Sequence, residues 1–97
     1  MSVRHLTKFQ EKVFEVVKKI PKGKTLSYKE VAKLIGFPRA WRAVGNALNK
    51  NKNPKVPCHR IIRSDGNIGG YNNGVKKKIR LLKKEGVEVL NFKNYKR

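Results

Sequence analysis

The sequence predicts a single domain that is mostly α-helical with a small β element, of the winged helix-turn-helix type. Apolar residues recur with helical spacing, two short predicted helices are joined by a turn at Gly36, and a later segment carries a hairpin-turn signal. A plain helical hairpin is the alternative explanation of the two short helices, and it stays open here. A chain of 97 residues suits one domain, with frayed ends expected at 1–6 and 91–97.

The first predicted helix begins at a capping box, in which Thr7 is followed three residues later by Gln10. Helical spacing predicts one buried face over roughly three turns. That face consists of Phe9, Val13, Val16, Val17 and Ile20. The segment Pro21–Lys24 predicts a turn after it, because Pro and Gly interrupt helices.

Two further helices are predicted between residues 27 and 48. Ser27 and Glu30 form a second capping box, and Gly36 would end the helix that follows. Pro38 fits the first turn of the third helix. The inward side chains are expected to be Val31, Leu34 and Ile35 on the second helix and Trp41, Val44 and Leu48 on the third. The small residues that would let the third helix approach another surface closely are Ala40, Ala43 and Gly45.

A polar connector over residues 49–54 leads into a predicted extended segment over residues 55–62. The segment Ser64–Asn67 is typical of a hairpin turn, with Ile68–Tyr71 as the return strand. The glycines in that strand would allow close backbone approach.

The last predicted helix follows Gly74 and ends at Gly86. A short strand is expected at Val87–Leu90. The apolar face of this helix comprises Val75, Ile79 and Leu82.

The charge balance is the strongest compositional signal. The formal net charge is +19, from 25 Lys+Arg against 6 Asp+Glu. It predicts a polyanionic partner, most simply nucleic acid, with a membrane surface or ribosomal RNA as competing interpretations. One cysteine cannot form an intrachain disulfide, which fits a cytoplasmic protein. No membrane span, cofactor or metal is expected, since apolar runs are short and His5 and His59 are far apart in sequence.

Chemistry is concentrated at Cys58, within the string Val-Pro-Cys-His-Arg-Ile-Ile. A thiolate is a strong nucleophile, and His59, Arg60 and Arg63 are expected to favour that anion. The apolar flanks predict a strand-like setting for the sulfur. For a bare Cys-His pair, a small buried hydrophobic residue is the commoner interpretation.

The whole string is much more specific, and it resembles the reactive motif of the O6-alkylguanine-DNA alkyltransferases, the methylated-DNA–protein-cysteine methyltransferases. The resemblance runs from about residue 9 to residue 87 and implies the C-terminal DNA-binding and active-site domain of that family, standing alone. The matching segments are Thr25–Tyr28, Arg42–Gly45, Asn51, Pro57–Arg60, Gly69–Tyr71 and Leu81–Gly86.

The resemblance implies repair of duplex DNA by a monomer that flips out O6-alkylguanine and moves the alkyl group irreversibly to Cys58. His59 would act as a base through a water, Glu85 would orient it, and Tyr28 would assist flipping and donate a proton. Residue types alone leave other interpretations: Glu85 could offset lysines and Tyr28 could be a core residue. The implied substrate pocket comprises Tyr28, Asn51, Pro57, Ile61, Gly69, Tyr71 and Asn72, with the carbonyls of Cys58 and Ile61 facing the guanine amino group.

The resemblance also places the third helix in the minor groove, with Arg42 filling the vacated stack; a phosphate contact is the alternative for Arg42. The implied DNA-binding residues are Arg39, Ala40, Arg42, Ala43 and Gly45. Departures from the family are a missing N-terminal domain, a connector one residue shorter, and Asn72 in place of a serine. Two rival classes remain: a lesion binder of the alkyltransferase-like type, which usually carries tryptophan instead of the cysteine, and a winged-helix regulator.

Overall fold

A computed structural model of the chain describes residues 7–71, 74–89 and 92. The helices are α1 (Lys8–Lys18), α2 (Tyr28–Leu34), α3 (Trp41–Asn49) and α4 (Val75–Lys84). Two strands, β1 (Leu26–Ser27) and β2 (Ile61–Ile62), and a 3-10 turn at Cys58–Arg60 complete the elements. The predicted class of mostly helical domain with a small β element is therefore confirmed. No helix in these ranges is long and apolar enough to cross a membrane.

Both predicted capping boxes are present. The Thr7 hydroxyl accepts from the Gln10 backbone N–H at 3.0 Å, and the Gln10 side chain accepts from the Thr7 N–H at 3.0 Å. Ser27 and Glu30 repeat this exchange, with distances of 3.0 and 2.7 Å. Each box satisfies backbone donors that the first turn of a helix leaves without partners, so these two helix starts follow from local sequence.

The third helix begins later than its sequence predicts. Residues 38–40 form a turn closed by the Ala40 N–H donating to the Phe37 carbonyl at 2.8 Å, and α3 starts only at Trp41. Pro38 therefore lies before the helix and not in its first turn. Gly36 ends α2 as predicted, because its φ of +89° is one that residues with a side chain rarely adopt.

The main core lies between α1, α2 and α3, with two residues from the segment near Cys58. It consists of Val13, Val17, Ile20, Val31, Ala32, Ile35, Val44, Ala47, Leu48, Val56 and Ile61. Two inward predictions are wrong, since Leu34 is 63% exposed and Trp41 is 38% exposed. On α2 the buried side is centred between Val31 and Ala32, which turns Leu34 away from the core.

The sheet differs from the predicted hairpin. The turn after residue 63 forms, with the Arg63 N–H donating to the Asn67 carbonyl at 3.1 Å, but Ile68–Tyr71 is not a strand. Instead β2 pairs in parallel with β1. Leu26 lies opposite Ile61, so the paired residues are 35 positions apart in the sequence. The strand predicted at Val87–Leu90 is also wrong, since residues 87–89 do not form a strand. Leu90 lies outside the described residues, as do 1–6 and most of 91–97, where frayed ends are predicted.

Helix α4 packs against the 3-10 turn and forms part of a second, smaller core. Leu82 is fully buried there with Ile68 and Val89, and the predicted Val75 and Ile79 pack against them. Lys78 is also fully buried on the inner side of this helix. A buried lysine is costly unless it is hydrogen-bonded, so its partners bear directly on the site.

Candidate active site around Cys58

Cys58 opens a 3-10 turn, which contradicts the strand-like setting predicted for it. The turn is held by the Arg60 N–H donating to the Pro57 carbonyl at 3.0 Å, and the Ile61 N–H donates to the Cys58 carbonyl. A short apolar run with a proline does not distinguish a strand from a turn, because the difference lies in backbone hydrogen bonds made after folding. The consequence is that the Cys58 sulfur meets Asn51, whereas the next two side chains, His59 and Arg60, both reach Glu85.

The partner of the sulfur is Asn51. Its side-chain N–H donates to the Cys58 Sγ at 3.1 Å. The same side chain also donates to the Asn53 carbonyl and accepts from the Asn53 backbone N–H, which forms a local turn in the connector. The family resemblance implies Asn51 as a pocket residue, and the structure brings its amide into contact with the Cys58 sulfur. A donor aimed at sulfur stabilises the thiolate more than the thiol.

His59 and Arg60 both contact Glu85, at the end of α4. His59 Nε2 lies 2.9 Å from Glu85 Oε2, and Arg60 binds both carboxylate oxygens at 2.9 and 2.7 Å. Arg60 also donates to the Ile20 carbonyl at 2.7 Å. The hydrogen bonds from Arg60, and secondarily from His59, lower the pKa of Glu85 from 4.5 to about 2. Since an ionised carboxylate only accepts, His59 donates through Nε2, which leaves Nδ1 as the acceptor of the neutral ring.

The charges around the thiol differ from those expected from sequence. Burial raises the pKa of the Cys58 thiol, against lowering contributions from the Asn51 hydrogen bond, from its own backbone and from the charge of Lys78. Arg60 is committed to Glu85, and Arg63 is paired with Asp65 at 2.6 Å. The expectation that His59, Arg60 and Arg63 together favour the thiolate is therefore wrong, because burial dominates.

Lys78 is the site residue that the sequence reasoning missed. Its ammonium donates to the Ile61 carbonyl at 2.6 Å and to the Gly70 carbonyl at 3.1 Å. Burial lowers its pKa from 10.5 to about 8, although the negative charge of a Cys58 thiolate acts the other way. The available signal was its register: Lys78 lies three residues after Val75 and four before Leu82, on the face predicted to be apolar.

Tyr28, at the start of α2, lies near the same glycine loop as this lysine. Burial raises the pKa of its phenol, the Cys58 charge adds to this, and Arg63 opposes it. Gly69 has a φ of +83°, and a Cβ there would lie 3.3 Å from the Lys78 Nζ and 3.6 Å from the Tyr28 hydroxyl. The loop thus approaches both groups at a position that favours glycine.

The predicted pocket residues do not line one common cavity, and Gly69 lines neither of the two cavities near Cys58 and Tyr28. One, of about 920 Å³, is lined by Asn51, Pro57, Cys58, His59 and Tyr71 among others. The other, of about 600 Å³, is lined by Tyr28, Arg42, Gly45, Arg63 and Gly70 among others. Ile61 is fully buried, backbone included, and its carbonyl accepts from Lys78, so this residue lines neither cavity. Asn72 lies outside the described residues. No cluster of three possible metal ligands occurs among the described residues.

Not all of the residues predicted to contact DNA from α3 lie on its exposed surface. Arg39, Arg42 and Ala43 are exposed and Ala40 is half-buried. Gly45 instead faces the Tyr28 ring, since a Cβ there would lie 3.6 Å from a ring carbon. Its small size therefore serves packing between α3 and α2.

Comparison with known proteins decides the family. The sequence profile described as "6-O-methylguanine DNA methyltransferase, DNA binding domain" matches residues 8–87. This chain belongs to that family. A methylated-DNA–protein-cysteine methyltransferase of Methanothermobacter thermautotrophicus is 52% identical over 84 residues, which are 86% of this chain and 47% of the relative. The chain thus spans about half the length of this curated relative.

Two solved structures share the fold of this chain. The OGT protein of Mycobacterium tuberculosis in complex with DNA superposes with a TM-score of 0.79 at 44% identity, covering 84% of this chain and 50% of that one. Atl1 of S. pombe, in complex with damaged DNA containing O6-carboxymethylguanine, superposes with a TM-score of 0.77 at 34% identity, covering 88% of this chain and 82% of that one. The Atl1 chain is therefore the closer of these two in length.

Proposed function

We propose that this protein repairs alkylated DNA directly, by extruding O6-alkylguanine from a duplex and accepting the alkyl group on Cys58. The observation that carries the proposal is the arrangement at the thiol. The sulfur accepts from Asn51, and the adjacent His59 is held at 2.9 Å by Glu85. A nucleophile, a neighbouring base and a group that orients the base form a recurring catalytic pattern. Family membership supports assigning it to alkyl transfer.

The resting sulfur is a neutral thiol in this mechanism, because burial raises its pKa. His59 therefore removes the thiol proton through a water at Nδ1, and Glu85 stabilises the positive imidazolium. The S–C bond then forms as the bond between the alkyl carbon and guanine O6 breaks. The electron pair left on guanine takes a proton from the Tyr28 hydroxyl, and Tyr28 recovers one through solvent. The product is a neutral thioether, and no group of the site is assigned to cleave it, so each molecule reacts once.

The partner in this proposal is duplex DNA, bound by a monomer. A net charge of +19 supplies a sequence-independent attraction to phosphate. We assign α3 to the minor groove, with Arg42 filling the vacated stack and Arg39, Ala40 and Ala43 along the groove. Extrusion is required because the alkylated atom is inaccessible inside the stack. The pocket for the extruded base is assigned to Tyr28, Asn51, Pro57, Gly69 and Tyr71, with the carbonyl of Cys58.

Intact-mass measurement after incubation with a duplex containing O6-methylguanine tests the proposal. We expect one methyl group per protein molecule, located on Cys58. The control is Cys58→Ser, which should bind the same duplex and gain no mass. A folded wild-type protein whose mass stays unchanged, or that carries the methyl elsewhere, would exclude the transferase mechanism.

A non-catalytic lesion binder is the second candidate, favoured by the likeness to Atl1 at comparable length. This function predicts preferential binding to duplexes that contain O6-alkylguanine, without any mass change. Cys58 and its contacts favour the transferase. A regulator would instead show strong preference for one undamaged sequence.

A further inference from the structure

Trp41, the first residue of α3, lies at the edge of the cavity that Tyr28 and Arg42 share. It is 38% exposed although it is the largest apolar side chain of the helix. The Arg42 guanidinium carbon lies 5.2 Å from the centre of its ring, and the Lys29 Nζ lies 5.8 Å from the same centre. Two cations thus share one exposed aromatic ring.

The Arg42 guanidinium lies at the start of α3, where few other contacts among the described residues hold it in place. The N-cap of α3 is Ala40, which has no side-chain cap, so no hydrogen bond of that kind orders the start of the helix. Both carboxylates in the ion pairs of the described residues bind other side chains: Glu85 binds His59 and Arg60, and Asp65 binds Arg63. None of these ion pairs within the described ranges includes Arg42, so the face of Trp41 is the neighbour that orders its guanidinium.

We propose that Trp41 is a positioning residue that holds Arg42 at the start of α3 before DNA arrives. The inference rests on the proposed function, in which Arg42 enters the base stack. An arginine side chain has many rotamers, and a guanidinium stacked on a ring samples fewer of them. Trp41 thereby reduces the ordering that DNA binding must otherwise impose on Arg42. Lys29, near the same ring, adds a second positive charge for phosphate.

The first test uses fluorescence and needs no DNA. Trp41 is the single tryptophan of the chain, so its emission reports on this ring alone. Removing the stacked guanidinium in Arg42→Ala should change the emission intensity or wavelength. The matched control is Arg39→Ala, which removes an exposed arginine two residues away from Trp41 and should leave the emission unchanged. Equal spectra for wild type and Arg42→Ala would overturn the proposed contact.

The second test separates the ring from mere apolar bulk. Trp41→Phe keeps an aromatic face and Trp41→Leu does not, so the two differ mainly in cation–π attraction. At about 0.5–1 kcal/mol for an exposed pair, we expect Trp41→Leu to transfer methyl from duplex DNA roughly 2–5-fold more slowly than Trp41→Phe. Both variants should react equally with free O6-benzylguanine, which needs no flipping. Urea unfolding of both variants establishes that they are folded.

The outcomes distinguish this inference from the proposed function. If wild type transfers methyl normally but the Phe and Leu variants are equally fast on duplex DNA, Trp41 has no positioning role. If both variants are slowed equally on the free base and the duplex, Trp41 is structural, which also refutes the inference. If wild type transfers nothing, the proposed function fails, and the fluorescence comparison still decides whether the ring holds Arg42.

Discussion

Lys78 gives the most quantitative prediction, because its ammonium is fully buried between the Ile61 and Gly70 carbonyls. The change is Lys78→Met, which keeps an unbranched side chain and removes the charge. Both the parent and the variant carry Cys58→Ser, so that the thiol does not titrate. The quantity followed is the free energy of unfolding as a function of pH.

The magnitude follows from the pKa of Lys78, which burial lowers from 10.5 to about 8. At about 1.4 kcal/mol per tenfold change in proton affinity, the folded state carries a penalty of about 3 kcal/mol below pH 8. Between pH 8 and 10.5 the folded state releases the proton while the unfolded state keeps it. The unfolded state then binds more protons, so stability rises with pH. The loss of two carbonyl partners in Lys78→Met is independent of pH over this range.

Urea unfolding at pH 7, 8, 9 and 10 measures the difference between parent and variant. Relative to Lys78→Met, the free energy of unfolding of the parent should rise by roughly 1 kcal/mol between pH 7 and 9, and by roughly 2–3 kcal/mol by pH 10. Tyr28, whose pKa is raised, titrates in both proteins and cancels in the difference. A difference that stays constant from pH 7 to 10 would show that Lys78 is not desolvated, and the account of its burial would be refuted.

The other predictions concern the site and the DNA-binding surface. Glu85→Gln should lower the free energy of unfolding, measured with urea, by about 2 kcal/mol, because the Arg60 guanidinium loses its charged partner. The pKa of Glu85 is lowered from 4.5 to about 2, so this stabilisation is fully present above pH 4.5 and is lost as the pH falls toward 2. Arg42→Ala should slow transfer from duplex DNA far more than it weakens binding, and the defect should nearly vanish for free O6-benzylguanine; equal impairment on both substrates would remove the stack-filling role. Gly69→Ala should destabilise the fold by at least 1 kcal/mol because of its φ of +83°, whereas Gly70→Ala, with nothing within 4 Å of its Cβ, should be near neutral. Log affinity for undamaged duplex should fall linearly with log salt, by about 0.9 per phosphate neutralised, and a salt-independent affinity would contradict an electrostatic interface.

The elements that the sequence predicted well are those set by neighbours along the chain. Thr7 with Gln10, and Ser27 with Glu30, close capping boxes within three residues. Gly36 ends a helix through its own backbone freedom. The pairing of β2 with β1 was missed because its partners lie 35 residues apart by register, and a parallel pair leaves no turn signal between its strands.

The sequence by itself determined the family, through the ordered match that includes Pro57–Arg60, and it singled out Cys58 as the candidate nucleophile. Only the tertiary structure decided the electrostatics around that atom. Arg60 lies only two residues after Cys58 in the sequence, yet it binds Glu85. Lys78 lies twenty residues away, and its positive charge acts to lower the pKa of the Cys58 thiol. The physical reason is that charge effects depend on distance and burial after the helices pack, and neither quantity follows from proximity along the chain.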